Sequence, residues 1–166
     1  MNIKDTGNPK ISIITPTLNQ ADYIEQTICS VLDQGYPNLE YIIVDGGSTD
    51  KTIDIIKKYE KYLSYWISEK DKGQSDAINK GYLKATGEVI NWLNSDDYYE
   101  TGSLNKVGEA FKDPLVNVYC GISRIFGDGN EYYSHGTDIY PGNLEKTIGW
   151  ARIDQPETFM RKRIWD

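Results

Sequence analysis

Short runs of β-branched and apolar residues alternate with amphipathic stretches of helical period through the first 123 residues, and this alternation restricts the fold more than any other feature. "ISIIT" (11–15) reads as a strand ended by Pro16. "ADYIEQTICSVLDQG" then places Ala21, Ile24, Ile28, Val31 and Leu32 on one helical face, with Gly35 as its stop. "LEYIIV" (39–44), "LSYWIS" (63–68) and "EVINWL" (88–93) read as further strands, and Val116, Val118, Cys120 and Ile122 mark a fifth. Between them lie helical patterns: Ile53, Ile56, Tyr59; then Ile78, Gly81, Tyr82, Ala85; then Leu104, Val107, Phe111. Strands alternating with helices imply βαβ units, a mainly parallel sheet and right-handed crossovers. "RIFGDGNEYY" reads as a hairpin around 127–130, followed by an irregular tail with one short helix at "NLEKTIGW". The expectation is one α/β domain, Rossmann-like, its parallel sheet flanked by helices and completed by a β-hairpin and irregular C-terminal part.

Open parallel sheets bind ligands at the carboxyl ends of their strands. Those ends carry Thr15-Pro16-Thr17, Asp45-Gly46-Gly47-Ser48, Glu69 with Asp71, and Asp96-Asp97. Helix starts favour Ser, Thr and Asp, which accounts for Ser48, Thr49 and Asp50. It accounts less well for Asp45 and Asp96, which directly follow strongly apolar strands. Two adjacent carboxylates repel each other and want water, and hard divalent cations are held by carboxylate oxygens. The formal net charge of −7 argues against a nucleic-acid surface. An anionic diphosphate would also be repelled here, by roughly 4 kcal/mol per charge pair about 4 Å apart at an effective dielectric near 20. A Mg²⁺ or Mn²⁺ bridging Asp97 and the phosphates reverses the sign. No "GxxxxGK" or "GxGxxG" offers phosphate a cradle of backbone amides instead. The 166 residues contain no apolar run of about 18, so no transmembrane segment is expected. Cys29 and Cys120 fit no metal or redox spacing and read as reduced core residues of a cytosolic protein.

The segments "SIITPTLNQADYIEQTICSVLDQGYPNLEYIIVDGGSTDKT", "ISEKDKGQSDAINKGYLKATGEVINWLNSDD" and "IDQPETFMRKRIW" together resemble the family 2 glycosyltransferases, which have the GT-A fold. The resemblance covers nearly the whole chain and keeps the family's order. It implies a nucleotide-sugar-binding half over 10–100 and the start of an acceptor half over 101–166. Asp45 would accept a hydrogen bond from a uracil-like base, with Thr15, Pro16 and Thr17 as base and ribose wall. Asn94-Ser95-Asp96-Asp97 is similar to the family's DXD metal motif, with Asn94 in place of its first acid. Asp97 would ligate Mn²⁺ or Mg²⁺, and Asp96 would touch the ribose or support the ion. Gly73, Asp76 and Asn79 would lie along the diphosphate and donor sugar, although a first-turn helix Asp explains Asp76 almost as well.

The implied chemistry is inverting transfer of a sugar from a nucleotide diphosphate donor, a UDP-sugar, to an acceptor hydroxyl in polysaccharide or cell-surface glycan synthesis. The cation would act as Lewis acid on the leaving diphosphate, and a carboxylate base would take the acceptor proton. Family members carry that base downstream of the "QPETFMRKRIW" segment. The chain ends at Asp166, inside what reads as a helix begun near Arg161, so the expectation is a chain cut short of its base. Asp154 and Glu157 are the nearby substitutes, and His135 reads as an exposed side chain. A glycan or lipid-linked acceptor would bring a cytoplasmic enzyme to the membrane surface.

Three other readings stay open. A receiver-like signalling domain places its acid pair after strand one, where this chain has Thr15-Pro16. A nucleotidyltransferase needs a glycine- and basic-rich first loop, which "TPTLNQ" is not. A nucleotide-sugar-binding fragment without turnover shares every donor residue named above.

Overall fold

The computed structural model describes residues 7–127, 129–135 and 156–164. The elements run β1 (Ile11–Thr17), α1 (Ile24–Leu32), β2 (Leu39–Asp45), α2 (Thr52–Tyr59), β3 (Tyr65–Ser68), α3 (Gln74–Lys84), β4 (Val89–Trp92) and α4 (Ser103–Ala110). β5 (Val118–Cys120), β6 (Ile122–Gly127), β7 (Asn130–His135) and β8 (Thr158–Arg161) follow. Six strands form one sheet in the order β3-β2-β1-β4-β8-β5. β1 pairs parallel with both β2 and β4, and β2 with β3. The mainly parallel α/β sheet expected from the sequence is therefore present.

Strand alternation divides the core in two. Ile11 and Ile13 of β1, with Tyr41 and Ile43 of β2, face Ile24, Ile28 and Val31 of α1, Ile55 and Ile56 of α2, and Leu104 and Val107 of α4. Ile14, Ile42, Val44 and Ile90 point to the other side, against Ala77 and Ala85. That second layer is thin because α3 lies almost on the sheet. A methyl group at Gly81 would stand 2.4 Å from Ile14 Cγ2, closer than packed atoms allow, so only glycine lets the helix seat there.

The structure adjusts several expected details. α2 buries Thr52, Ile55 and Ile56 rather than the Ile53 side of the pattern, and α3 buries Ala77 and Gly81. The fifth strand breaks at Gly121: β5 joins the main sheet, and β6 pairs with β7 in the expected hairpin. "TFMR" was expected to lead into a helix begun near Arg161. It is β8, inserted antiparallel between β4 and β5, and a 3-10 turn, Lys162–Ile164, ends the described residues. Four residues carry no helical or strand period of their own, and pairing on both sides settles their state. Cys29 is half-buried, and Cys120 is exposed rather than in the core. The expected helix at "NLEKTIGW" lies outside the described residues. Among the described residues, no helix is long and apolar enough to cross a membrane.

Candidate active site

β1 and β2 end in register, Thr17 opposite Asp45. Beyond that point their loops are stitched together. The Asn19 N–H donates to Ser48 Oγ at 2.7 Å, the Thr49 N–H to Asn19 Oδ1 at 2.8 Å, and the Gln20 N–H to Thr52 Oγ1 at 2.8 Å. Asp50 accepts from the N–H groups of Ala21 and Thr52. The Ser-Thr-Asp cluster that sequence reads as helix-start chemistry thus also fixes the neighbouring loop.

Asp45 does not face a cleft. It is fully buried, and its Oδ2 accepts from the N–H groups of Gly47 (3.1 Å) and Ser48 (2.9 Å) and from Ser68 Oγ (2.6 Å). Oδ1 accepts from Ser48 Oγ. Three local donors and one from β3 make Asp45 the internal brace of this corner. Buried polar groups need partners, and this one has them within the protein. Thr15 points inward as well, its Oγ1 3.1 Å from the Tyr41 hydroxyl. Pro16 is buried, and Thr17 is 6% exposed with an Oγ1 that finds no partner among the described residues.

The Asp96-Asp97 loop leaves β4 and is held by α1. Thr27 Oγ1 donates to the Asp97 carbonyl at 2.8 Å, and the Tyr99 N–H donates to Ser30 Oγ at 3.2 Å. Asp96 is exposed and Asp97 half-buried. Burial pushes the Asp97 carboxyl above the usual aspartate range, the neighbouring Asp96 charge adds to it, and a hydrogen bond from Asn94 opposes both. That bond, Asn94 Nδ2 to Asp97 Oδ2, is 3.2 Å long. Asn94 in turn accepts from Gln74 Nε2 at 2.7 Å, which ties the start of α3 to the acid pair. Among the described residues, no group of three or more His, Cys, Asp or Glu side chains gathers to hold a metal. Two hard carboxylates, one of them short of water, suit a divalent cation that takes its remaining oxygens from a ligand.

At the start of α3, Gly73 adopts φ 113° and Asp76 Oδ2 accepts from the Lys72 N–H at 3.2 Å. Asp76 also pairs with Lys80 (3.4 Å), which reaches Glu69 at 2.8 Å, and Asn79 is exposed. Gln74 carries no signal in the sequence, and Asp71 reads there as one acid among several. Asp71 Oδ1 accepts from the Gly73 N–H at 2.8 Å. The Thr17 carbonyl accepts from the Gly46 N–H, the Asp71 carboxylate occupies the space a side chain at Gly46 would need, and hydrogen bonds join Asp71 to Gly73 and Gln74 through Asn94 to Asp97. The spacing of acids after strands pointed to this edge, but the side-chain links between loops had no sequence signal.

On the other flank, β8 runs antiparallel to β4, so its first residues stand at the carboxyl end of β4. Asn91 Nδ2 donates to the Pro156 carbonyl at 2.6 Å there. Glu157, one suggested base, is buried and accepts from Ser123 Oγ. Asp154 lies outside the described residues, as does the side chain of His135. The β6–β7 hairpin leans on the acid loop through Tyr98 and Phe126, ring centroids 5.6 Å apart, and through Arg124 and Glu100 at 3.2 Å.

This architecture has known counterparts. Over 93% of the chain it superposes on S. aureus TarS with a TM-score of 0.70 at 24% identity, covering 29% of that chain. S. aureus TarS 1-349 in complex with UDP gives 0.63 at 25% identity, over 93% of this chain and 47% of that one. The mannosyltransferase PcManGT from Pyrobaculum calidifontis, in complex with GDP-Man and Mn²⁺, gives 0.58 at 28% identity, over 67% of this chain and 34% of that one. In sequence, a putative teichuronic acid biosynthesis glycosyltransferase, TuaG of Bacillus subtilis, is 44% identical over 148 residues, 84% of this chain and 59% of the relative. An uncharacterized glycosyltransferase of Mycobacterium tuberculosis is 37% identical over 160 residues, 96% of this chain and 54% of the relative. The chain thus spans less than two thirds of the length of these curated relatives. The model of glycosyl transferase family 2 matches residues 12–164, nearly the whole chain, and the chain belongs to that family.

Proposed function

We propose that this chain forms the donor side of an inverting glycosyltransferase that moves a sugar from a UDP-sugar to an acceptor hydroxyl in cell-surface polysaccharide synthesis. The observation that carries the reading is the Asp96-Asp97 pair, held by Thr27 and Asn94 at the end of a line of polar contacts across the sheet edge. Complexes of similar proteins with UDP, and with GDP-Man and Mn²⁺, support a nucleotide-sugar donor and a divalent cation. Asp97, with Asp96, would hold Mn²⁺ or Mg²⁺, which supplies Lewis-acid stabilisation of the departing diphosphate. Asn94 and Thr27 keep Asp97 aimed, and Gly73, Asp76 and Asn79 border the diphosphate and sugar. In the transfer, a bond forms from the acceptor oxygen to the sugar C1 as the bond from C1 to the diphosphate oxygen breaks. A carboxylate takes the acceptor proton, and we place it in the further length that the relatives have. A lipid-linked or glycan acceptor would put the reaction at the cytoplasmic face of the membrane.

The test is calorimetric titration with UDP in Mn²⁺, in Mg²⁺ and in chelator. Affinity should fall by roughly tenfold or more without metal, the size of a charge-assisted contact, and Asp97→Asn should erase the difference. Equal affinity in metal and chelator sinks the reading.

A further inference from the structure

We propose that Asp71 reads the nucleobase of the donor through Oδ2, and that residue 46 is glycine to admit it; this rests on the nucleotide-sugar reading above. The buried, fully engaged Asp45 leaves the corner without an available base acceptor of its own. The next residue, Gly46, has no side chain, and another residue's carboxylate fills that volume. A methyl group at Gly46 would stand 2.6 Å from Asp71 Oδ2, 3.1 Å from Cγ and 3.2 Å from Oδ1. The first distance is one that packed atoms do not adopt, so any side chain at 46 would push Asp71 away.

Asp71 is held ready. Its Oδ1 accepts from the Gly73 N–H at 2.8 Å, while Oδ2 has no donor among the described residues. Gly47 helps to bring the loop in: at φ 89° its open face lies against the backbone of Glu69 and Lys70, with 3.5 Å from a would-be methyl to the Lys70 nitrogen. The two glycines of "DGGS" therefore act as a dock for the loop after β3.

Chemistry selects the ligand group. An ionised carboxylate only accepts hydrogen bonds. Uracil N3–H and guanine N1–H offer it a donor, whereas cytosine N3 and adenine N1 present lone pairs that it repels. Asp71 and Asp97 stand on different loops, after β3 and β4, so base and phosphates of one nucleotide would each meet a carboxylate of their own.

Titrating the parent chain with UDP, GDP, CDP and ADP in Mn²⁺, and repeating with Asp71→Asn, tests this directly. The parent should favour UDP or GDP over CDP. Asp71→Asn puts an N–H donor in the acceptor's place, so it should cut that preference by roughly tenfold to a hundredfold and strengthen CDP relative to UDP. Gly46→Ala should cause the same loss of preference by displacing the carboxylate while leaving its chemistry unchanged. Asp45→Asn should lower the melting temperature and leave base preference intact. A uniform loss across all four nucleotides in Asp71→Asn would show that Asp71 only positions its loop, and the proposal falls. It falls too if Asp45→Asn, not Asp71→Asn, removes the preference. A parent that binds none of the nucleotides overturns the donor reading itself, a result distinct from either.

Discussion

Two buried carboxylates on β2 show how much the surroundings of a residue decide its role. Asp45 at the carboxyl end braces the loop after β2 against β3, and Glu40 at the amino end locks the opposite edge. Glu40 accepts from Lys10 Nζ (2.6 Å), Ser12 Oγ (2.5 Å), and both the N–H and Oγ1 of Thr86 (2.6 Å each). Burial alone would raise its carboxyl, but these hydrogen bonds outweigh it and bring the pKa down from 4.5 to about 2. A carboxyl depressed by folding adds stability that is present above its unfolded pKa and is lost as pH falls through the folded one. The contribution is therefore full above about pH 4.5 and disappears toward pH 2. Its upper bound is about 3 kcal/mol at 1.36 kcal/mol per unit. Glu40→Gln should destabilise the protein at about pH 6 and progressively less at about pH 3, measured by urea unfolding. A deficit independent of pH would mean that the network contributes packing alone.

At the level of elements, β8 is joined to the sheet as much by one side chain as by its ladders. Arg161 is 7% exposed. Its Nε donates to the Val116 carbonyl at 2.8 Å, and Nη2 to the carbonyls of Phe111 and Asp113 at 2.9 Å each. Nη1 pairs with Glu88 at 3.1 Å, and the guanidinium lies 5.3 Å from the Phe111 ring centroid. These carbonyls close α4 and lead into β5, so the fork holds the far half of the sheet to its centre. Arg161→Met should cost at least about 1–3 kcal/mol, the penalty for a buried acceptor left without its donor, because the carbonyls lose their partner whereas half-exposed Glu88 returns to water. Hydrogen exchange should quicken over 118–120 and 158–161 while β1 and β2 stay protected. Loss of protection in all strands together would show that the sheet opens as one unit.

For the whole molecule, the contacts from Thr17 to Asp97 lie inside the parallel half, while the chain covers 59% of one curated relative and 54% of another. Nucleotide binding and sugar transfer should therefore separate. The 166-residue chain should bind UDP with metal as tightly as a version extended to the relatives' length, whereas acceptor glycosylation should need the extension. A positioned base is worth about 10²–10⁴ in rate, so the difference should be plain in a product assay. Full turnover by the 166-residue chain would place the base among its own residues, with Glu157 the first to substitute.

The sequence by itself determined the layers and the edge at which the strand-end acids gather. The apolar strands, helical periods and acids following β2, β3 and β4 are local patterns, and a parallel sheet brings such strand ends to one side whatever the details. It also determined the family, because the order of three segments is a property of the chain. Tertiary structure alone decided what each acid does. Asp45 and Asp71 are both loop acids in sequence, yet one is enclosed by four donors and the other is carried over Gly46 from a different loop. β8 was hidden for the same reason: four residues have no period to read, and their state is fixed by partners about forty to seventy positions away. Hydrogen bonds and close packing act through space over a few ångströms, so what they decide is invisible until distant parts of the chain are set side by side.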